Sequence, residues 1–205
     1  NNAVKHLEQL KKKNTLSNTE IDSAFVSCNL IKSSNPDSAL MYLRWLLSES
    51  EESKFKQGTI GSYRLIGLTK RVQGEYDSAL FYFKSAENIL RENNFPMEQA
   101  EVYNAMAITY ESKDDFSNSI KYQIKALEIF EKNNIKSGMA DCYGNLGILY
   151  LNQNLFDESL KNQEKALEIF KSVGNIDGQI NTNSNIAIVY ANKGDLKKSL
   201  DYFLM

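Results

Sequence analysis

The segment Lys125-Ala-Leu-Glu-Ile-Phe130 recurs unchanged as Lys165-Ala-Leu-Glu-Ile-Phe170, so the chain repeats itself with a period of 40 residues. The same register holds at other positions along the chain. They are Tyr110, Tyr150 and Tyr190, the apolar residues Leu40, Leu80, Ile120, Leu160 and Leu200, and the small residues Ala39, Ala79, Ser119, Ser159 and Ser199. A fixed period between about 20 and 50 residues indicates a solenoid, a propeller or another array of stacked units.

Each unit of the repeat contains two helical patterns. In one unit, a first stripe at i, i+3, i+4 and i+7 consists of Tyr143, Leu146, Gly147 and Tyr150. After a break at residues 152–154, a second stripe consists of Phe156, Leu160, Gln163, Ala166, Leu167 and Phe170. Apolar residues at this spacing form one face of an α-helix, and the turn-forming residues of the break suit a short link between antiparallel helices.

These patterns predict an all-α protein of about eleven antiparallel helices. The first helices of the four clearest units should begin near residues 57, 97, 137 and 177, and the second helices near residues 75, 115, 155 and 195. Two residue patterns predict particular helix starts. Pro96 suits a first helical turn, and Ser17 with Glu20 has the spacing of a capping box.

The composition excludes several classes of protein. The chain has 205 residues and a net charge of -2, so it lacks the basic surface that nucleic-acid binding requires. No apolar run approaches the roughly 18 residues of a membrane-spanning helix. Only 2 prolines and 10 glycines leave few turns for a β-sandwich or barrel. Cys28 and Cys142 lie in no metal-ligand spacing, and we interpret both as buried or half-buried free thiols.

The small residues that recur on the first helices have a packing interpretation. Gly67, Ala107, Gly147 and Ala187 lie where the first helix of a unit must pass close to the second. We therefore expect Gly147 to be buried at this helix crossing. The pairs Gly58-x-x-Gly61 and Gly144-x-x-Gly147 could suggest a phosphate clamp, but their helical context favours packing glycines.

The repeated motifs resemble the tetratricopeptide repeat family, in its long form of about 40 residues. The matching pattern is aromatic-x-x-Leu-Gly/Ala-x-x-Tyr on the first helix. On the second helix it is Gly/Asp-x-aromatic-x-x-Ala/Ser-Leu-x-x-aromatic, followed by Ala. Residues 143–170 carry most of this pattern, and the resemblance extends over roughly residues 20–205. Departures from it are Pro36, Lys70, Gln123, Gln163 and Asn183.

The resemblance implies a right-handed superhelical solenoid of antiparallel helix pairs. We expect a helix within residues 1–17, either a leftover helix or an N-terminal cap, and an array over residues 18–205. Its repeats should span residues 18–56, 57–96, 97–136, 137–176 and 177–205. The last repeat is truncated inside its second helix, so we expect a fragment of a longer protein.

No constellation of residues suggests catalysis. The single histidine, His6, lies on the first helix with no Asp or Cys partner in the sequence nearby, and we interpret it as a surface residue. No Ser/His/Asp arrangement and no phosphate-binding glycine loop can be assembled. We therefore predict a non-enzymatic protein that uses no cofactor and no metal ion.

The resemblance also implies a binding surface, since the first helices of such repeats line a concave groove in which Asn side chains bond the backbone of an extended peptide. This role transfers to Asn145 and Asn185, and Asn104 could reach the same groove. An apolar column follows alongside, formed by Leu68, Ile108, Ile148 and Ile188 with Cys28 at its head. These side chains either pack against neighbouring helices or form a row of pockets for a ligand.

Charged residues on the same face could orient a ligand. Arg64 and Arg71 would make one end of the groove basic, and Glu101, Glu111 and Asp141 would make its centre acidic. Charge patterning of this kind sets register and orientation more than affinity. The alternative is that these charges are simply solvated.

We predict a scaffold that binds a protein or peptide segment in this groove, without nucleic-acid binding or membrane insertion by this segment. The alternative is a sensory or regulatory region of a larger bacterial signalling protein, a sensor kinase or a transcription regulator, whose catalytic or DNA-binding part lies elsewhere. The oligomeric state and the cellular compartment stay open. Free cysteines favour the cytoplasm, whereas the missing initiator Met would fit export to the periplasm.

Overall fold

The computed structural model describes residues 2–205, which fold into eleven α-helices without any β-strand. The helices of the first half are α1 (Asn2–Lys11), α2 (Asn18–Ile31), α3 (Pro36–Glu52), α4 (Lys56–Val72), α5 (Tyr76–Glu92) and α6 (Pro96–Glu111). They are followed by α7 (Phe116–Lys132), α8 (Lys136–Asn152), α9 (Phe156–Ser172), α10 (Ile176–Asn192) and α11 (Leu196–Phe203). The all-α prediction is confirmed.

The helix starts keep the 40-residue register of the sequence. The first helices α4, α6, α8 and α10 begin at residues 56, 96, 136 and 176, one residue before the predicted positions. The second helices α5, α7, α9 and α11 begin at residues 76, 116, 156 and 196, one residue after the predicted positions. This regularity places equivalent residues of different repeats in equivalent local environments.

Local capping explains several of these starts. Ser17 and Glu20 form a complete capping box at the start of α2, as the sequence predicts. Pro96 is the first residue of α6, and Pro36, which departs from the repeat motif, plays the same part at the start of α3. A proline fits there because the first turn of a helix has no partner for the missing N–H group.

The chain divides into two compact units, unit 1 (Asn1–Lys113) and unit 2 (Asp114–Met205). In unit 1, helices α1 to α4 bury a continuous apolar cluster that includes Leu7, Ile21, Leu43 and Ile66. Cys28 lies in the same cluster with no exposed surface, and burial raises the pKa of its thiol to about 12. Cys28 therefore belongs to the core, as expected of a buried free thiol, and the packed alternative holds at the head of the apolar column.

The single histidine also differs from expectation. His6 is half-buried, and its Nδ1 lies 2.8 Å from the Oγ of the buried Ser27, so a hydrogen bond joins α1 to α2. The helical register of α1 aims this side chain at α2 rather than at solvent. His6 thus helps to hold the first helix on the array.

Unit 2 shows how its first and second helices are held together. Gly147 is buried on α8, and a Cβ atom built there would lie 2.5 Å from the Nε2 of Gln163 on α9. Ser159 Oγ donates a hydrogen bond to the Gly147 carbonyl over 2.7 Å, and Gln163 Nε2 donates to the Gly144 carbonyl over 3.1 Å. The expected close crossing at Gly147 is confirmed, and α9 fixes it with two side-chain donors.

Candidate functional site

A cavity of about 390 Å³ lies between α8 and α10, the first helices of two successive repeats. Four residues selected from the sequence line it: Asp141, Asn145, Ile148 and Asn185. Its other lining residues are Ala140, Gly144, Phe170, Asn175, Asp177, Gly178, Asn181 and Thr182. These side chains come together because α8 and α10, the first helices of successive repeats, both border the same space. We call this space the α8–α10 cavity.

Gly144 forms part of the wall of the α8–α10 cavity. A Cβ atom built on Gly144 would meet no atom within 4 Å, so the space that a side chain would occupy is open. The interpretation of Gly144 as a packing glycine is wrong, whereas Gly58, Gly61 and Gly147 do lie against side chains. A glycine inside a helix costs about 1 kcal/mol relative to alanine, and here the missing side chain leaves open space in the cavity.

The α8–α10 cavity is acidic. Asp141 and Asp177 are its charged lining residues, and neither Lys nor Arg lines it. Among residues 2–205, no hydrogen bond or ion pair engages the Asp141 carboxylate. Asp141 keeps an exposed surface, but the protein around its carboxyl group removes part of its hydration, and this partial burial raises its pKa. The cavity therefore holds an incompletely compensated negative charge.

Side-chain amides supply the other polar groups of the cavity. Asn145 and Asn185 are half-buried, on α8 and α10 respectively, and Asn181 is exposed. Asn175 caps α10, since its Oδ1 accepts a hydrogen bond from the Gly178 N–H group over 2.9 Å. Each carboxamide can both donate and accept, so this wall can pair with a peptide backbone in either sense.

Other residues selected from the sequence lie in unit 1, around a second cavity of about 250 Å³ beside α4 and α6. Arg64 and Glu101 both line this cavity, and they form an ion pair with 3.1 Å between Nη2 and Oε2. Burial lowers the pKa of Lys32, and the positive charges of Arg64 and Arg71 lower it further. A group of cations is thus present in unit 1, but Glu101 neutralises part of it.

The predicted apolar column is not uniform. Leu68 packs against the buried cluster of unit 1, Ile108 and Ile148 are half-buried, and Ile188 is 41% exposed. Asn104 is half-buried on α6 and already has a partner within the protein. Both structural alternatives for the column therefore occur, packing at Leu68 and exposure at Ile188.

Sequence reasoning missed Gly144, Asn181 and Gln163 as contributors to the site. Gly144 was interpreted together with Gly147 as a packing glycine, because the two form one small-residue motif. Gln163 is fully buried on α9 and supports the carbonyl of Gly144 from behind the cavity wall. The signal that could have found it is a polar residue where the repeat motif has an aromatic one.

Within residues 2–205, no group of three or more His, Cys, Asp or Glu side chains is arranged to hold a metal ion. None of the helices in this range combines the length and the apolar character needed to cross a membrane.

Comparison with known proteins shows which family the repeats resemble. Residues 98–172 match the family model described as tetratricopeptide repeat. No protein in the curated set matches the sequence significantly. Several solved structures share the fold, which confirms the prediction of a tetratricopeptide-like array.

Three of these structures are similar over nearly the whole chain. BtubC (BKLC) from P. vanneervenii has a TM-score of 0.85 at 21% identity, and the match covers 98% of this chain and 85% of that one. The second is a signal transduction ATPase with numerous domains from Pyrococcus horikoshii, which has a tetratricopeptide repeat sensor. Its TM-score is 0.80 at 16% identity, and the match covers 97% of this chain and 31% of that one. The apo form of RapI has a TM-score of 0.77 at 18% identity, with 99% of this chain and 57% of RapI covered.

Proposed function

The chain belongs to the tetratricopeptide repeat family over residues 98–172, and we propose that it is a non-catalytic scaffold that binds an extended protein segment. Folds of this kind generally serve as protein-interaction scaffolds. The observation that carries the proposal is the α8–α10 cavity, where Asp141, Asn145 and Asn185 converge on one space. The bound segment would run across α8 and α10, with its backbone over the amides and a side chain in the cavity.

The amides of Asn145 and Asn185 suit this role because a carboxamide has the same donor and acceptor groups as a peptide bond. The side-chain amide of Asn185 makes no hydrogen bond within residues 2–205. Asn145 already has a partner in the protein, but a carboxamide offers two donor hydrogens and an acceptor oxygen with two lone pairs. Ile148 supplies apolar contact beside them.

A double substitution tests this function. Peptides selected from a random library against the native chain serve as probes, and fluorescence anisotropy measures their affinity for Asn145→Ala/Asn185→Ala. Each lost hydrogen bond should weaken binding by about 0.5–1.5 kcal/mol, a combined factor of about 5 to 150. The free energy of unfolding should change by less than about 0.5 kcal/mol per site, as at other sites outside the core.

The matched control is Asn162→Ala, which removes an amide from α9 outside the cavity. It should leave peptide affinity unchanged. Unchanged affinity in the double variant, or weaker binding that only follows loss of folded protein, would contradict the groove function. In that case the two asparagines are structural residues.

The second candidate is a sensory region of a larger signalling protein. It is favoured by the likeness to the signal transduction ATPase, in which a tetratricopeptide repeat sensor accompanies other domains and this chain spans 31% of the length. The sequence of the complete protein decides the matter. A kinase, ATPase or DNA-binding domain beside the repeats would support this candidate, whereas a protein made only of repeats would contradict it.

A further inference from the structure

A comparable inter-helix slot occurs in each unit, at positions 80 residues apart. In unit 1 it lies beside α4 and α6, where Gly61, Arg64 and Glu101 are among its lining residues, and α2 adds Asp22 and Phe25. In unit 2 it lies between α8 and α10, where the corresponding residues are Asp141, Gly144 and Asn181. The two slots can therefore be compared residue by residue.

In unit 1 the protein fills this slot with its own cation. The Arg64 side chain is 27% exposed, and its guanidinium reaches from α4 to the Glu101 carboxylate on α6 over 3.1 Å. The remaining cavity measures about 250 Å³. Arg64 and Glu101 thus compensate each other across the two helices, and the cavity is also lined by Asp22 and by Glu98, whose carboxylate accepts a hydrogen bond from Gln57.

In unit 2 the slot keeps a carboxylate but has lost the cation. Gly144 stands where Arg64 stands in unit 1, and the space beyond its Cα is open. The carboxylate has moved to Asp141 on the opposite helix, and Asn181 replaces Glu101. The cavity is larger, about 390 Å³, and no Lys or Arg lines it.

We propose that the unit 2 slot binds the guanidinium or ammonium group of a basic side chain from a partner polypeptide, in the place that Arg64 fills in unit 1. This inference rests on the proposed function and names the side chain that the bound segment must carry. Asp141, Asp177 and the amide oxygens of the lining asparagines are hydrogen-bond acceptors. A guanidinium has five donors and no acceptor, so it matches this lining, whereas an acidic side chain would face like charge.

Four peptide pools provide the test. The pools have random flanks around one fixed central residue: Arg, Lys, citrulline or Glu. Citrulline has the shape of arginine without its charge. Fluorescence anisotropy should show that the native chain binds the Arg and Lys pools about 10- to 100-fold more tightly than the citrulline and Glu pools, the range expected for hydrogen bonds to a charged group.

Two variants should abolish this preference. Asp141→Asn removes the charge without changing the size of the side chain, and Gly144→Arg places a guanidinium on α8 at the position of Arg64. The matched control Asp157→Asn removes a carboxylate from α9 outside the cavity, where it pairs with Lys193, and should keep the preference. Circular dichroism checks that each variant is folded; should Gly144→Arg fail to fold, Asp141→Asn still decides.

The outcomes separate this inference from the proposed function. Equal binding of all four pools to the native chain, or a preference that survives in Asp141→Asn, overturns the cation site but leaves a peptide-binding groove. A preference for the Glu pool also overturns it. Failure of every pool to bind overturns the proposed function, and the cation site with it.

Discussion

Two glycines three residues apart on α8 have opposite surroundings. Gly147 faces Gln163, with only 2.5 Å between its ideal Cβ position and Nε2, whereas no atom lies within 4 Å of the corresponding point at Gly144. The first is required by helix packing, and the second leaves open space in the α8–α10 cavity. One helix thus combines a close crossing and an open cavity wall at successive turns.

Substitution of these two glycines should change stability in opposite directions. Gly147→Leu should lower the free energy of unfolding by about 1–3 kcal/mol, because the larger side chain overpacks the α8–α9 crossing. Gly144→Ala should raise it by up to about 1 kcal/mol, because alanine favours the helix and its methyl group enters open space. Urea unfolding followed by circular dichroism measures both. An unchanged urea midpoint for Gly147→Leu would contradict the assignment of residue 147 to the α8–α9 crossing.

Asp141 should make stability depend on pH. Its pKa in the folded protein is raised above the ordinary 3.8 by burial, so folding favours the protonated form. Asp141 therefore destabilises the fold increasingly as the pH rises from the pKa of this group in the unfolded protein through its higher pKa in the folded protein. Asp141→Asn should therefore unfold at a higher urea concentration than the native chain at pH 7, and at the same concentration well below the ordinary pKa.

Glu20 provides a contrast of opposite sign in the same experiment. The hydrogen bond from Lys13 and those from Ser17 lower the pKa of this carboxyl group from 4.5 to about 2. Its stabilising contribution is complete above the ordinary pKa and is lost as the pH falls towards about 2. Glu20→Gln should therefore lower the urea midpoint at neutral pH. A rise at neutral pH would contradict the capping role of Glu20.

At the residue scale, the sequence predicts packing better than it predicts open space. The recurrence of small residues at position 147 and its equivalents identified a close crossing, since close approach leaves a periodic trace. Gly144 carries no such trace, because its equivalents in the register are Arg64, Asn104 and Ser184. What lies opposite a residue depends on the neighbouring helix, which the periodicity of one helix does not describe.

At the scale of the element, the links between helices follow a period of half a repeat. A residue with positive φ occurs in most of them, at Lys54, Gly74, Asp114, Asn134, Asn154, Gly174 and Gly194, all spaced by multiples of 20 residues. Among the links from residue 53 onward, the exception precedes Pro96, where Asn93 is extended with φ of -134° and ψ of 138°.

Gly74→Ala should lower the free energy of unfolding by about 1–2 kcal/mol, because φ of +77° is unfavourable for any residue with a Cβ atom. Lys54→Gly is the opposite change at an equivalent position, where φ is +56°. It should leave the free energy of unfolding unchanged or raise it by up to about 1 kcal/mol, because glycine adopts positive φ easily. Thermal unfolding of the two variants measures the difference. Equal effects would mean that backbone conformation does not control these links.

The helix starts of the four clearest units could be predicted to within one residue because caps, turn residues and stripes recur together. The polar contacts between repeats could not be predicted from the sequence. Asp77 pairs with Lys113, and Asp157 pairs with Lys193, in both cases 36 residues apart. This spacing joins the start of one second helix to the end of the next first helix, and only the stacking of repeats brings the two ends together.

At the scale of the whole molecule, repeats bury one another's faces, and one described face of unit 2 is uncovered. Phe83 on α5 is fully buried, whereas its equivalent Phe203 on α11 is 55% exposed. Leu80 is 6% exposed and its equivalent Leu200 is 59% exposed. Within the described chain, Ser199 is the one buried residue of α11. In a stacked array this is the face that a further helix would cover.

Phe83→Ala and Phe203→Ala make the same chemical change at the same repeat position, so their difference isolates burial. Phe83→Ala should lower the free energy of unfolding by about 3–5 kcal/mol, because it leaves a cavity beside Gly67 in unit 1. Phe203→Ala should change it by less than about 0.5 kcal/mol. Urea unfolding monitors both by circular dichroism, and the fluorescence of Trp45, the single tryptophan, reports on unit 1. A large effect of Phe203→Ala that grows with protein concentration would show that a second copy covers this face in solution.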